Sequence, residues 1–507
     1  MKKVLLIIID ALSSKVLIPA LNNGDLPNLS ALAQVDPYHE SSVAIFPSLT
    51  PAATASLVTG QYPEQHGIMG YHWYEKEQHE VVYYGEDFWV VVQRGFAEFF
   101  NDLLFKLNHQ RLQAPTLFQQ IERTGLRTAC LNYPIFRGEK THQVNAPLML
   151  KLLPGVPFSE SVWGPSIMYF GDLVAAEIEE TGEPLDRTGG LLHRFGFDDE
   201  NTGNLLIQLA QKKALPHFTL AYFPDNDFES HEVGSQAALP TLKKIDERLG
   251  DLIQIYGDME KMLNELCLVI TGDHAQSDIL GKEAQAAIQL DEILGDFEIP
   301  ESGRPWREDD DLIICPDMRS AQIYFQYPNS NQIKQVVNLL LADERIDQVM
   351  WPAQVLGDRE QGYYVATIDR GQLHFQPGQS GSQSGVDKYG QWWSWSGSLA
   401  AVGGEVLENN RLTFPEYPNA FERITGTLKA NNGGHLWITG RLGYEFRVAK
   451  TEVHFNGGSH GSLHALDSLS PLIIVGAPEE TPLPAHPRAV DITPLCMNIL
   501  GLLSTEA

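Results

Sequence analysis

The chain has 507 residues, 43% of them apolar and 9% aromatic, and a formal net charge of −29. Such a length exceeds one ordinary core, so a large domain carrying an insertion, or two domains, is expected. The acidic balance excludes the clustered Lys and Arg of a nucleic-acid-polymer binder, though not a small anion held through bound cations.

Residues 4–9 form a continuous aliphatic run, which predicts a central parallel strand buried on both faces and ending at Asp10. The run is short, stops at a charge and is followed by no cleavage site, so it is not read as a signal peptide. In 46–60, Thr50 precedes Pro51 and a series of helix formers, which predicts a helix with Thr50 as N-cap and Pro51 at its first position. A hydroxyl there lies in the positive field of the helix N-terminus, where a phosphate also binds. The apolar stretch 88–107 carries Gln93, Arg94, Glu98, Asn101 and Asp102, so it reads as an amphipathic helix and not a membrane span.

Further on, 115–124 reads as a helix stopped by Gly125, and 127–131 as a strand. Residues 218–223 read as a strand, 239–256 as a helix and 266–270 as another buried strand. Residues 472–475 and 490–502 close the pattern as strand then helix. The alternation implies an α/β core with a mostly parallel central sheet flanked by helices.

The interval 299–451 differs in texture, with antiparallel strands expected at 321–325, 362–368 and 372–375 and a helix at 332–341. It is read as a smaller α+β insertion, or cap, on a core of 1–298 and 452–507. Its Trp392, Trp393 and Trp395 are expected in the cap's own core. The four cysteines, Cys130, Cys267, Cys315 and Cys496, form no paired motif and read as thiols of a reducing compartment. With no transmembrane segment, a cytoplasmic protein is expected.

Carboxylates and imidazoles collect after the predicted core strands, where α/β sheets hold their ligands. Asp10 follows the first strand, Asp225, Asp227 and His231 another, and Asp273 and His274 the next, while His460 and His464 stand in a late glycine-rich segment. Burying so many such groups together is costly without a cation. Asp227 and His231 are four residues apart, on one side of a helical turn. Mixed carboxylate and imidazole sets suit Zn²⁺, with Mn²⁺ or Fe²⁺ as alternatives. Two such ions would lower the pKa of the Thr50 hydroxyl and bridge a phosphoryl oxygen.

Asp10, the 46–60 run with Thr50, Asp227-x-x-x-His231, Gly272-Asp273-His274 and Gly458-Ser459-His460-Gly461 together resemble the alkaline phosphatase superfamily. The segment from Val58 to Ile68 is most similar to its type I phosphodiesterase / nucleotide pyrophosphatase branch. The resemblance implies one ion on Asp227, His231 and His460, and a second on Asp10, Asp273, His274 and Thr50. It implies a hydrolase in which Thr50 attacks a phosphodiester or pyrophosphate and water then hydrolyses the intermediate.

Two positions depart from the pattern. The family aspartate directly follows a proline, as Asp225 follows Pro224, yet Asp227 keeps the four-residue spacing to His231. Where the branch has an asparagine that donates to the phosphoryl oxygen, Tyr71 stands, also a donor. His66 and His72 are candidates for lining the cleft, and His464 is a substitute for His460. Phosphomonoester or phosphonate hydrolysis is the nearest variant, and a non-catalytic metal-stabilised binding protein is the alternative of another class. A sulfatase is disfavoured because Thr50 and Thr54 stand where Cys or Ser and Arg are needed.

Overall fold

The computed structural model describes residues 2–85, 91, 96–145, 161–179, 182–357 and 361–503. Its central sheet runs in the order His39–Val43, Leu469–Val475, Leu266–Thr271, Lys3–Ile9, Phe218–Phe223, Thr128–Leu131, Ile167–Phe170, Val174–Ala175. Lys3–Ile9 is parallel to both neighbours, and Phe218–Phe223, Thr128–Leu131 and Ile167–Phe170 continue the parallel run. The aliphatic first strand therefore lies at the centre, as expected. Val4, Leu6 and Ile8 face one hydrophobic cluster and Leu5, Ile7 and Ile9 the other, so a run without polar alternation is needed to bury both faces.

Register brings the chemistry to one edge. Ile9 pairs with Phe223 and Ile8 with Thr271, so these strands end level and deliver Asp10, the 225–231 helix and Asp273 together. Leu469–Val475 runs antiparallel to Leu266–Thr271, with Leu472 opposite Thr271. It therefore starts at that same edge, and the segment before it, with His460, arrives there too.

The helix Thr50–Thr59 and the C-terminal helix Ile492–Ile499 cover one face. Ser14–Asn23, Asp199–Gln211 and Leu239–Tyr256 cover the other. A second, antiparallel sheet of eight strands is built between Leu312 and Gly440. The helix Ser330–Leu341 packs its Ile333, Val336 and Leu340 against this sheet. Trp393 and Trp395 are buried, with Trp393 Nε1 donating to Asp387 Oδ2 at 2.7 Å, while Trp392 is half-buried; the two buried rings join the hydrophobic cluster of the central sheet and not a core of the cap's own. Of the predicted 88–107 helix, 88–90 and 92–95 lie outside the described residues. The rest is helical as Phe96–Asn101, continuing as a wider π-helical turn over Asp102–Arg111.

Candidate active site

The helix Thr50–Thr59 begins one residue earlier than expected. Leu49, extended at φ −125° and ψ 136°, takes the N-cap position, and Thr50 is the first helical residue. Its hydroxyl caps no helix N–H, because it is engaged elsewhere: it lies 3.0 Å from His274 Nε2 and accepts the Tyr71 hydroxyl at 2.7 Å. The left-handed Gly60 ends the helix, and the chain then folds back so that Tyr71 returns to its first turn.

Around Thr50 the predicted ligands converge. His231 Nε2 lies 3.3 Å from Asp227 Oδ2, and His460 Nε2 lies 3.7 Å from Asp227 Oδ1. His274 Nε2 lies 3.5 Å from Asp10 Oδ1 and 3.6 Å from Asp273 Oδ2. The rings of His274 and His460 stack with centroids 3.8 Å apart. Two groups have ligand atoms close enough to share an ion: Asp227 with His274 and His460, and Asp10 with Asp273 and His274. His274 joins both groups, whereas the motif division gave it to one, and His231 flanks the first group through Asp227.

The tautomers are fixed from behind. His231 Nδ1 faces the Gly458 carbonyl at 2.8 Å, His460 Nδ1 that of Ser48 at 2.7 Å, and His274 Nδ1 that of Ala275 at 3.2 Å. A carbonyl only accepts, so each Nδ1 carries the proton and each Nε2 turns a lone pair toward carboxylate oxygens. The Thr50 hydroxyl therefore donates to His274 Nε2. Asp10 Oδ1, Asp273 Oδ2, His231 Nε2 and His460 Nε2 are buried without a hydrogen bond among the described residues. Lone pairs facing one another in a buried space need a cation between them, so this donor set fits metal ions.

Electrostatics agrees. Burial, reinforced by the neighbouring charges of Asp273 and Asp227, pushes the Asp10 carboxyl well above the usual range. Burial and the nearby His274 hold His460 well below the usual imidazole range.

The sequence favours Asp227 by its spacing to His231, with Asp225 as the fallback. Asp227 faces the histidines, whereas Asp225 pairs with Arg194 and its N–H donates to Asp199 Oδ1 at 3.0 Å. His464 is turned away, its Nδ1 accepting the Leu466 N–H at 3.1 Å. His66 is buried behind the Thr50–Thr59 helix and bonded to Ser56, and His72 Nδ1 faces the Pro316 carbonyl, so neither lines the cleft.

Sequence reasoning missed the supporting groups. Asn226 Nδ2 donates to the Asp10 carbonyl at 2.8 Å, Tyr222 donates to Asp10 Oδ2, and Gln276 donates to Asp227 Oδ1. Asn226 and Gln276 adjoin the motifs, and that adjacency was the available signal. Above the site is a cleft of about 220 Å³, whose walls include Tyr71, Tyr83, Asp317, Glu445 and His454. The second sheet supplies the Asp317 wall.

Residues 4–384 match the family model for type I phosphodiesterase / nucleotide pyrophosphatase. No curated protein sequence matches the chain. Among solved structures, human ectonucleotide pyrophosphatase / phosphodiesterase 5 is similar with a TM-score of 0.55 at 14% identity, covering 99% of this chain and 96% of that one. The murine protein, as an inactive variant in complex with AMP, is similar with a TM-score of 0.56 at 12% identity and the same coverage. At these identities the likeness concerns the alkaline-phosphatase-type fold. The family match, spanning the strand of Asp10, the Thr50 helix and the Asp273–His274 pair, goes further: the chain is a hydrolase belonging to the type I phosphodiesterase / nucleotide pyrophosphatase family.

Proposed function

We propose that this hydrolase cleaves phosphodiester or pyrophosphate bonds of small substrates with Thr50 as nucleophile and two divalent ions. Asp227, His231 and His460 would hold one ion, and Asp10, Asp273, His274 and Thr50 the other. Zn²⁺ suits the set best, with Mn²⁺ or Fe²⁺ as alternatives. When bound, such ions neutralise phosphoryl oxygens and lower the pKa of a coordinated hydroxyl. The observation that carries the reading is the Thr50 hydroxyl, 3.0 Å from His274 Nε2 within a ring of buried, unbonded ligand atoms. AMP bound to the murine neighbour supports a substrate of nucleotide size.

The protein's own residues do the following. The first turn of the Thr50–Thr59 helix directs its positive end at Oγ1 and favours the alkoxide over the hydroxyl. Thr50 Oγ1 bonds to phosphorus as the opposite P–O bond breaks; the leaving alcohol or phosphate departs with that bond's electron pair and is protonated from solvent, while the Thr50 proton passes to solvent. Tyr71, whose hydroxyl is 2.7 Å from Oγ1, donates to a non-bridging oxygen as charge builds there. Water then cleaves the phosphothreonine ester and restores Oγ1. Replacing Thr50 with Ala lowers kcat by at least ~10³-fold. Metal content by elemental analysis stays near that of the parent, because the other six side chains remain. Turnover of an aryl phosphodiester at near-parent rate by this variant would remove Thr50 from the mechanism.

A further inference from the structure

We infer that Asp317, contributed by the second sheet, is a positioning residue that aims the Tyr71 hydroxyl at the reacting threonine. The inference rests on the reading of Thr50 as nucleophile. Asp317 ends the strand Leu312–Asp317 and opens a tight hairpin to Ser320, with Met318 at φ +58°. The hairpin tip pushes into the core: the Arg319 N–H donates to the His460 carbonyl at 2.9 Å. Asp317 itself is buried, and its Oδ2 accepts the N–H of Tyr71 at 2.9 Å and of His72 at 3.3 Å.

The Tyr71 peptide is thereby held from both sides. Its N–H is fixed by Asp317, and its carbonyl accepts the Tyr84 N–H at 2.8 Å. With the backbone so fixed, the phenol reaches Thr50 Oγ1. Gly70 makes the approach feasible. Its φ is +147°, and a Cβ there would stand 2.2 Å from Asp317 Oδ2 and 2.9 Å from Leu49 Cδ1. Burial pushes the Asp317 carboxyl well above its usual range, against the two amides. Both amides reach the same acceptor oxygen, Oδ2. An amide oxygen in the same place should serve nearly as well.

The test is a double-mutant cycle on the metal-loaded protein with bis(4-nitrophenyl) phosphate. Tyr71→Phe is expected to lower kcat roughly 10- to 100-fold, the usual effect of deleting a hydrogen bond to a charged group. Asp317→Ala should lower kcat roughly 10-fold, with KM changed less than ~3-fold and metal content unaltered, while Asp317→Asn stays within ~3-fold of the parent. In the Tyr71→Phe background, Asp317→Ala should cost less than ~2-fold. Additive losses, or an Asn variant as impaired as the Ala variant, would overturn the inference.

If Asp317→Ala does not fold, Asp317→Ser, whose shorter side chain withdraws the acceptor, takes its place, and its loss must likewise vanish with Tyr71→Phe. A second readout needs no turnover. In [¹³Cζ]tyrosine NMR, the resonance lost in Tyr71→Phe should shift in Asp317→Ala and hold its place in Asp317→Asn. A resonance that stays put in Asp317→Ala overturns the positioning role. An active Thr50→Ala variant would overturn the nucleophile and with it the catalytic purpose of the contact, leaving the NMR readout to report only that Asp317 holds Tyr71 in place.

Discussion

His66 stands sixteen residues after Thr50 and packs beneath the same helix, yet its surroundings take it out of the chemistry. Its Nδ1 accepts the Ile68 N–H at 3.1 Å, so Nε2 carries the proton and donates to Ser56 Oγ at 2.9 Å. Burial pushes its pKa down to about 3. The sign follows from proton binding. Below its ordinary pKa of 6.5 the unfolded chain binds a proton that the folded imidazole refuses, so stability falls as pH falls from about 6.5 toward 3. Between pH 7 and 5 this one group removes about 2 kcal/mol. Urea unfolding at the two pH values should show His66→Gln losing less stability than the parent by about that amount, and equal losses would place the proton elsewhere. The comparison with His274 shows what a sequence conceals. Both histidines flank core motifs, but His274 turns a bare Nε2 toward carboxylates and His66 a protonated one toward a serine. His274 is marked by residue type and strand-end position and His66 by its nearness to Thr50, and the tautomer, set by folded partners, separates them.

At the scale of elements, one hairpin ties the ligand segments together. Arg319 is fully buried and donates to Asp467 and to Ser277 Oγ, with Nη2 also reaching the Ser277 carbonyl at 3.1 Å. Asp467 Oδ2 accepts the Ser462 hydroxyl at 2.6 Å, and the Asp467 carbonyl accepts the Ala275 N–H at 3.0 Å. A single carboxylate therefore links the segment after His274 to the segment after His460. Arg319→Met leaves that carboxylate buried without its cation, which should cost about 3–5 kcal/mol in urea unfolding. The loosened segments should also release metal to a competing chelator sooner than the parent does. Pairing it with Asp467→Leu removes the stranded charge and should recover much of the stability without recovering metal retention. A loss below ~1 kcal/mol in the single variant would mean that solvent reaches Asp467. Nothing near Arg319 announces this role. Its partner is 148 positions away, and local periodicity reports only that a strand follows it.

The interval that carries this hairpin reads from the sequence as a cap, because its Gly, Ser and Trp content contrasts with the aliphatic strands around it. Strand-like runs within it were legible from alternation, as at Tyr363–Thr367 and Gly371–Pro377. Its depth of docking was not, since that depends on contacts hundreds of residues apart. Phe46, just before the Thr50–Thr59 helix, packs on Trp437 with ring centroids 5.3 Å apart. Arg423 Nη2 donates to the Ile45 carbonyl at 3.1 Å and to Ser468 Oγ at 2.6 Å, and Thr427 donates to the Phe46 carbonyl. One hydrophobic cluster runs from Val4 and Ala52 of the central sheet and its helix through Trp437 to Phe375, Trp393 and Phe421. A chain of this size ordinarily unfolds domain by domain. Here, opening the second sheet would strip Phe46 and Trp437 of their packing and leave the Arg423 guanidinium without its carbonyls, so the Thr50–Thr59 helix loses its support at the same step. Tryptophan fluorescence, weighted to the second sheet by Trp351, Trp392, Trp393, Trp395 and Trp437, should change in urea together with far-ultraviolet circular dichroism and enzymatic activity. The three midpoints should coincide. A fluorescence transition that precedes loss of activity would mean that the second sheet opens while the site stays assembled, and the shared core would then be two cores in contact.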